Sequence, residues 1–327
     1  MSLVEEFIRI NPQKDTVLSI GVFDGVHLGH KRLISGLNKN AINKGNLAGV
    51  LTFNRHPEEI VSPHNKLCYL TTLEQRQNLI KSLHPHFVIV LPFTKDVAGM
   101  TARQFINLLQ KYLRMKGLVV GPNFTLGKSR EGEITTLQRL GKEMGFTMEI
   151  IPPLIIDGVM ASSTTIRKAL HNGDIETASN LLGRHFNLEG KVISGVGQST
   201  MMGFPTANLD ISPQQCLPNN GVYATLTYIG SQKFFSLTNI GGISTLGRIS
   251  SHAVMGAVDA QFVEVHLIDF ISNLNGITIK VEFLERLREE LHFNNIESLR
   301  FQINTDIEHA KVIFKKHTKA EFCQEIK

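Results

Sequence analysis

Three glycines and two histidines fall within ten residues near the start of the chain: Gly21-Val22-Phe23-Asp24-Gly25-Val26-His27-Leu28-Gly29-His30. Imidazoles donate hydrogen bonds and exchange protons near neutral pH, and glycines let the backbone approach a ligand closely. Side chains of these types can grip phosphate oxygens and stabilise charge that grows on them in a transition state. A zinc site needs further ligands near by, and the sequence holds no His/Cys cluster of zinc spacing.

The flanking residues state what must position this stretch. Thr16-Val17-Leu18-Ser19-Ile20 is apolar and partly β-branched, the pattern of a buried strand. Leu33, Ile34, Leu37 and Ala41 follow at helical spacing, and Gly45 stands where a C-terminal cap belongs. The histidines therefore lie on a strand-to-helix turn, where N–H groups and the helix dipole favour an anion.

The same alternation runs through the first half. Strands are predicted at 47–53, 87–91, 118–120 and 146–151. Capping boxes at Thr71/Glu74 and Thr101/Gln104 open helices, the second of them closed by Gly117. A turn-rich loop spans 121–133, and a helix ends at Leu181-Leu182-Gly183-Arg184. The expected fold is an α/β, Rossmann-like parallel sheet, with ligands beyond the carboxyl ends of its strands. From Lys191 the pattern changes to strands at 191–194, 221–229, 233–239, 262–269 and 277–283, which read as a small antiparallel β-barrel. A last helix opens near Asn294/Glu297. The expected domains are 1–186 and 187–327.

Composition narrows the chemistry. At 327 residues, 42% hydrophobic and 19% charged, the chain suits two globular domains. No apolar run reaches membrane-spanning length, and the first residues lack a basic flank and apolar signal core. Three scattered cysteines, Cys68, Cys216 and Cys323, fit a reduced, cytoplasmic protein. A net charge of +5 favours anionic partners. The basic residues are dispersed and there is no Trp, so nucleotides are expected as partners and neither nucleic acid nor membrane.

The His27-Leu28-Gly29-His30 spacing resembles the HxGH signature of the nucleotidylyltransferase superfamily. The longer stretch is similar to one branch, the bifunctional riboflavin kinase/FMN adenylyltransferases, or FAD synthetases. Gly121–Glu133 resembles that family's second loop, and Ser162-Ser163-Thr164-Thr165-Ile166-Arg167 its SSTxIR motif, which closes on ATP phosphates. Hydroxyls at a helix start and an arginine one turn on suit phosphate without the family's help. In the second half, Gly203-Phe204-Pro205-Thr206-Ala207-Asn208 resembles the GFPTAN motif of the riboflavin kinase module. Glu264 falls where that module has its base.

The resemblance implies that AMP passes from ATP to FMN, giving FAD and pyrophosphate, with Mg²⁺. It implies that His27 and His30 stabilise triphosphate charge while Arg167, Ser163 and Thr164 hold the leaving pyrophosphate. Gly21, Phe23, Asp24, Gly25, Gly29 and Asn123 would line the ATP and flavin site. Thr206 and Asn208 would hold Mg²⁺ and nucleotide for the kinase, with Glu264 as its base. The kinase half departs from the pattern. Gln198-Ser199-Thr200 stand where the family has Arg-Gly-Arg, Gly241-Gly242-Ile243-Ser244-Thr245 stand where it has Gly-x-Arg-Pro-Thr after Asn239-Ile240, and Asn275-Gly276 replaces Tyr-Gly. Riboflavin kinase activity is therefore expected to be impaired or lost. Three alternatives remain: a fully bifunctional enzyme, another nucleotidylyltransferase with a flavin- or nucleotide-sensing second half, and a non-catalytic sensor.

Overall fold

The computed structural model describes residues 3–61, 67–193, 206–241, 261–293 and 295–325, with the side chains of the last helix described to residue 317. Packing divides the chain into two compact units, Met1–Ser163 and Thr164–Lys327.

The first unit runs α1 (Leu3–Ile10), β1 (Thr16–Gly21), α2 (Leu28–Asn43), β2 (Leu47–Phe53), α3 (Glu58–Val61), α4 (Leu73–Lys81), β3 (Phe87–Leu91), α5 (Lys95–Gly99), α6 (Ala102–Leu113), β4 (Met115–Val120), α7 (Ile134–Met144) and β5 (Thr147–Ile150), then a short hairpin, β6 (Ile155–Ile156) and β7 (Val159–Met160). The five strands β3-β2-β1-β4-β5 pair in that order, all parallel. Apolar residues on both sheet faces demand cover on both. Phe7, Phe105, Ile106, Leu109 and Leu137 cover one face, and Ile34, Leu37, Ala41 and Ile80 cover the other. A fully buried Leu or Ile of this kind contributes roughly 1.5–3 kcal/mol. Because β2 and β3 lie on one side of β1 and β4 and β5 on the other, the strand order reverses between β1 and β4. In open sheets of this kind such a reversal marks the crevice where ligands bind, at the carboxyl ends of the strands.

Local signals mostly hold, with small displacements. Thr101 and Gln104 form the expected capping box, but at α4 the box is Thr72 with Gln75, one residue later than predicted. Gly117 does not close α6. Arg114, in the left-handed region, does so, and Gly117 lies inside β4. The strand expected at 146–151 is the shorter β5, and α1 was not anticipated.

In the second unit α8 (Ser163–His171), whose first residue belongs to the first unit, leads to α9 (Ile175–Leu182). Then come β8 (Asn187–Ile193), β9 (Ala207–Asp210), β10 (Gly221–Ile229), β11 (Gln232–Gly241), β12 (Phe262–Leu267), β13 (Thr278–Arg288) and α10 (Ile296–Glu325). The strands close a barrel in the order β10-β11-β12-β9-β8-β13, every pairing antiparallel. The sequence pattern changes at 184–188, yet α8 and α9 fall in the second unit by packing. Asn219 N–H donates to Leu170 O, and Phe283 N–H to Phe186 O. Asn295, not Asn294, caps α10 by accepting from Ser298 N–H at 2.8 Å; Asn294 lies outside the described residues.

Inside the barrel Thr225, Thr227, Ser236 and Thr238 are wholly buried and satisfy one another through hydroxyl hydrogen bonds of 2.7–2.8 Å. Outside it, α10 lays Ala310, Ile313 and Phe314 on Ala224, Leu226, Leu237 and Leu284. One ion pair anchors this helix: Arg288 forks onto the buried Asp306 at 2.8–3.0 Å, and Gln302 also donates to that carboxylate. Removing one partner strands a buried charge. Asp306→Ala is expected to lower barrel stability by about 2–3 kcal/mol, at the low end because Arg288 is partly exposed. Urea unfolding followed by tyrosine fluorescence checks this.

Candidate active site

β1 delivers the chain to the crevice, and the turn after it is tightly bent. Phe23, Gly25 and Val26 all have φ in the left-handed region, at 55°, 79° and 38°. Only glycine adopts that conformation freely, so the two side-chain-bearing residues are strained, as is common where a site over-determines its backbone. Asp24 holds the bend. Its buried carboxylate accepts from Leu70 N–H, Thr71 N–H and the Thr71 hydroxyl at 3.0–3.2 Å, while Gly25 N–H donates to Thr71 Oγ1. Asp24, expected to bind ligand, thus spends its acceptors on the segment before α4.

His27 is the N-cap of α2, and its Nδ1 accepts from His30 N–H at 3.3 Å. That bond fixes the tautomer: Nδ1 is bare and Nε2 carries the proton. His30 stacks on His27 with ring centroids 3.6 Å apart and meets the edge of Phe23 at 5.2 Å. Burial, the His27 ring and the charge of Arg76, in that order, hold His30 well below the ordinary histidine range. Gly29 leaves no room for a side chain, since a Cβ there would stand 2.9 Å from Ala161 O and 3.0 Å from the His27 ring. Gly21 ends β1 with the Phe23 ring 3.2 Å from where its Cβ would be.

The loop after β4 follows the strand that pairs with β1 across that reversal. Phe124 and Leu126 pack into the core, Leu126 pairs with Gly132, and Asn123 is left exposed. Ser163 Oγ donates to Asp24 O at 2.9 Å, so the start of α8 is tied to the histidine turn. Thr164 is exposed next to it, and Arg167 follows one turn along α8.

Arg76 escaped the sequence reading. It comes from α4, is 1% exposed, and donates through Nη2 to Phe53 O at the end of β2 at 2.7 Å. Its Nε and Nη1 are buried and have no hydrogen-bond partner among the described residues, and neither has His30 Nδ1. A signal did exist. Leu73, Arg76 and Ile80 share one helical face, so a cation sat on the buried stripe.

On the barrel, cross-strand register places Asn208 opposite Glu264, and Glu264 opposite Asn239. The three side chains make one row on the outer wall, because directly paired residues share a face. Asn208 is a strand residue, not part of a turn, and Thr206 immediately precedes that strand. Burial, and then the charge of Glu290, push the Glu264 carboxyl above the usual carboxylate range. Glu290 lies against Gly241, whose Cβ would collide with its Oε1 at 2.2 Å. Asn239 Oδ1 is buried without a hydrogen-bond partner among the described residues. Glu290 had no signal in the sequence pattern, because only the barrel brings it to this row. Residues 198–200, 203–205 and 242–245, on which the kinase departures and part of the GFPTAN stretch fall, lie outside the described residues.

Comparison with known proteins covers both halves of the chain. The FAD synthetase family model matches residues 9–165, and the riboflavin kinase model matches residues 182–314. Proteins named bifunctional riboflavin kinase/FMN adenylyltransferase are similar along nearly the whole chain. The one from Haemophilus influenzae is 35% identical over 91% of this chain and 94% of its own. That from Escherichia coli K12 is 34% identical over 90% and 91%, and that from Bacillus subtilis 33% over 91% and 92%. A crystal structure described as a macrolide-efflux protein from Streptococcus pneumoniae superposes with a TM-score of 0.81 at 27% identity, covering 92% of this chain and 95% of that one. Among the described residues of this chain, no helix is long and apolar enough to cross a membrane. With two family models in the same order and relatives above 30% identity over nine-tenths of its length, the chain belongs to the bifunctional riboflavin kinase/FMN adenylyltransferase family.

Proposed function

We propose that the first half transfers AMP from ATP to FMN. A phosphate oxygen of FMN attacks the α-phosphorus of ATP in line, the bond to the β-phosphate oxygen breaks, and FAD and pyrophosphate leave. The observation that carries this is the stacked His27–His30 pair at the head of α2, at the reversal point of the parallel sheet. His27 offers Nε2–H to phosphate, His30 does the same, and the N-terminus of α2 adds N–H donors and its dipole. Ser163, Thr164 and Arg167 hold the departing pyrophosphate, Asn123 contacts nucleotide or flavin, and Gly21, Phe23, Gly25 and Gly29 shape the turn. Asp24 acts by organising it. Incubation with FMN, ATP and Mg²⁺ followed by chromatography tests the reading, and absence of FAD overturns it.

For the barrel the proposed substrate is riboflavin, with Glu264 as base and Thr206 and Asn208 as the Mg²⁺-facing groups. The oxygen-only donors of that row, including the unpartnered Asn239 Oδ1, suit Mg²⁺, which takes few protein ligands and keeps substrate phosphates. When bound, the ion neutralises phosphate charge; Glu264 takes the proton of the attacking hydroxyl. Missing loop cations slow the transfer. The intact row of Asn208, Glu264 and Asn239 favours a second reading, full bifunctionality, which the riboflavin assay below separates.

Two further outcomes are expected. A neighbouring negative charge makes Glu264 harder to ionise. Glu290→Gln therefore moves its carboxyl titration to lower pH, whereas Glu290→Asp does not, as read by ¹³C NMR of labelled glutamate in the metal-free protein. The halves, with a proposed border at 186, are also expected to separate: a 1–186 fragment unfolds cooperatively and still makes FAD. A fragment that is soluble but shows no cooperative transition contradicts that border.

A further inference from the structure

Resting on the adenylyl-transfer reading, we propose that Glu131 is a positioning residue of that reaction: docked on the first turn of α6, it holds the loop after β4 in a strained shape, with the charges of Lys128 and Arg130 left for substrate phosphate.

The loop is clipped to α6 from both sides of its tip. Glu131 Oε1 accepts from Ala102 N–H at 3.0 Å, and Lys128 N–H donates to Met100 O at 2.7 Å. Ala102 is the first residue of α6, where N–H groups lack partners within the helix and the dipole favours a negative charge. The Thr101–Gln104 capping box satisfies the N–H groups of Thr101 and Gln104 but not that of Ala102, so the loop supplies the missing acceptor. The approach is close. A Cβ on Gly127 would stand 2.5 Å from Ala102 N, and one on Gly132 would stand 2.4 Å from Leu126 O. The anchor itself is firm, because Ala102, Phe105, Ile106, Leu109 and Leu113 of α6 are buried in the core.

What the clip holds is strained. Ser129 and Arg130, consecutive residues with side chains, have φ of 52° and 60°. Backbone of this kind persists only where its surroundings enforce it. The enforcing contacts flank it directly, at Lys128 and Glu131. Charge points the same way. Glu131 follows Arg130 in the chain, yet its carboxylate is spent on α6. Lys128 and Arg130 are exposed and make no ion pair among the described residues. Asn123, also exposed, belongs to the same loop. Two cations and an amide on one held loop suit the phosphate groups that both substrates carry.

The test measures FAD formation by the full chain, with FMN and ATP varied in turn. Asn123→Ala marks the substrate that the loop holds by raising its KM. Glu131→Ala is expected to raise the same KM by about tenfold with kcat unchanged, as follows when only about one loop in ten keeps the binding shape. Glu131→Gln, which keeps an acceptor for Ala102 N–H, stays close to the wild type. Adding Ser129→Gly to Glu131→Ala returns the KM toward the wild-type value, because glycine takes positive φ freely. Trypsin, which cuts after Lys128 and Arg130, is expected to cleave the loop faster in Glu131→Ala than in Glu131→Gln. Thermal unfolding should match across the set. Unchanged KM values in folded Asn123→Ala or Glu131→Ala overturn the proposal. A fall in kcat alone does so too, as does a Glu131→Gln chain as impaired as Glu131→Ala. A wild type that makes no FAD overturns the adenylyl-transfer reading instead, and the trypsin comparison then decides whether Glu131 anchors the loop.

Discussion

FAD formation from FMN and ATP is expected to fall by roughly 10²–10³-fold in His30→Ala, the scale for losing one preorganised donor to a developing charge. The loss belongs in the rate and not in the fold. His30 contributes its backbone N–H to the His27 cap, and alanine keeps that bond. The ring stacks on His27 and meets the edge of Phe23, so its removal opens space at the site and not in the sheet core. Circular dichroism and thermal unfolding should match the wild type while steady-state turnover drops. Unchanged turnover in a folded His30→Ala chain sinks the role assigned to this residue.

Conversion of riboflavin to FMN is expected to be slowed roughly 30- to 150-fold, on the order of a 2–3 kcal/mol transition-state loss, relative to a site that keeps those cations. Phosphoryl transfer depends on cations and N–H groups placed around phosphate. Gln198, Ser199 and Thr200 bring no charge to the loop before the GFPTAN stretch. One charge pair at about 4 Å is worth roughly 4 kcal/mol at an effective dielectric of 20 before desolvation is subtracted. Ser199, in place of glycine, also narrows the backbone choices of that loop. Against these losses stands the row of Asn208, Glu264 and Asn239, which keeps the carboxylate and amides of the proposed kinase site in register. A barrel that binds flavin and phosphorylates it slowly fits both. Feeding riboflavin, ATP and Mg²⁺ and measuring FMN and FAD is decisive. Equal rates for the two steps would show the kinase half to be intact.

Local chemistry made much of this protein legible in one dimension. The strand-turn-helix around His27 and His30 is written in contiguous residues: a β-branched apolar run, three glycines, and a helical stripe ending at Gly45. The Thr101–Gln104 box and the doubly covered β3 run likewise depend on neighbours within a few positions, so periodicity and capping report them directly. Strand β9 was not legible. Its four residues, the first two of which end the GFPTAN-like stretch, carry no pattern of their own, and Asn208 becomes a strand residue only because β8 and β12 pair on either side.

By itself the sequence determined the order of most elements, the class of fold in each half, and the histidine turn as the place for anion chemistry. All of these follow from short-range spacing. Only the tertiary structure decided how distant groups divide the work. Asp24 is consumed by Leu70 and Thr71, forty-six and forty-seven positions away. Arg76 comes from another helix to lie buried against Phe53 O at the end of β2. Glu290 meets Glu264 because β13 closes the barrel beside β10. Burial and Coulomb interactions act across space, and the chain's order along its length does not encode which charges the fold will bring within range of one another.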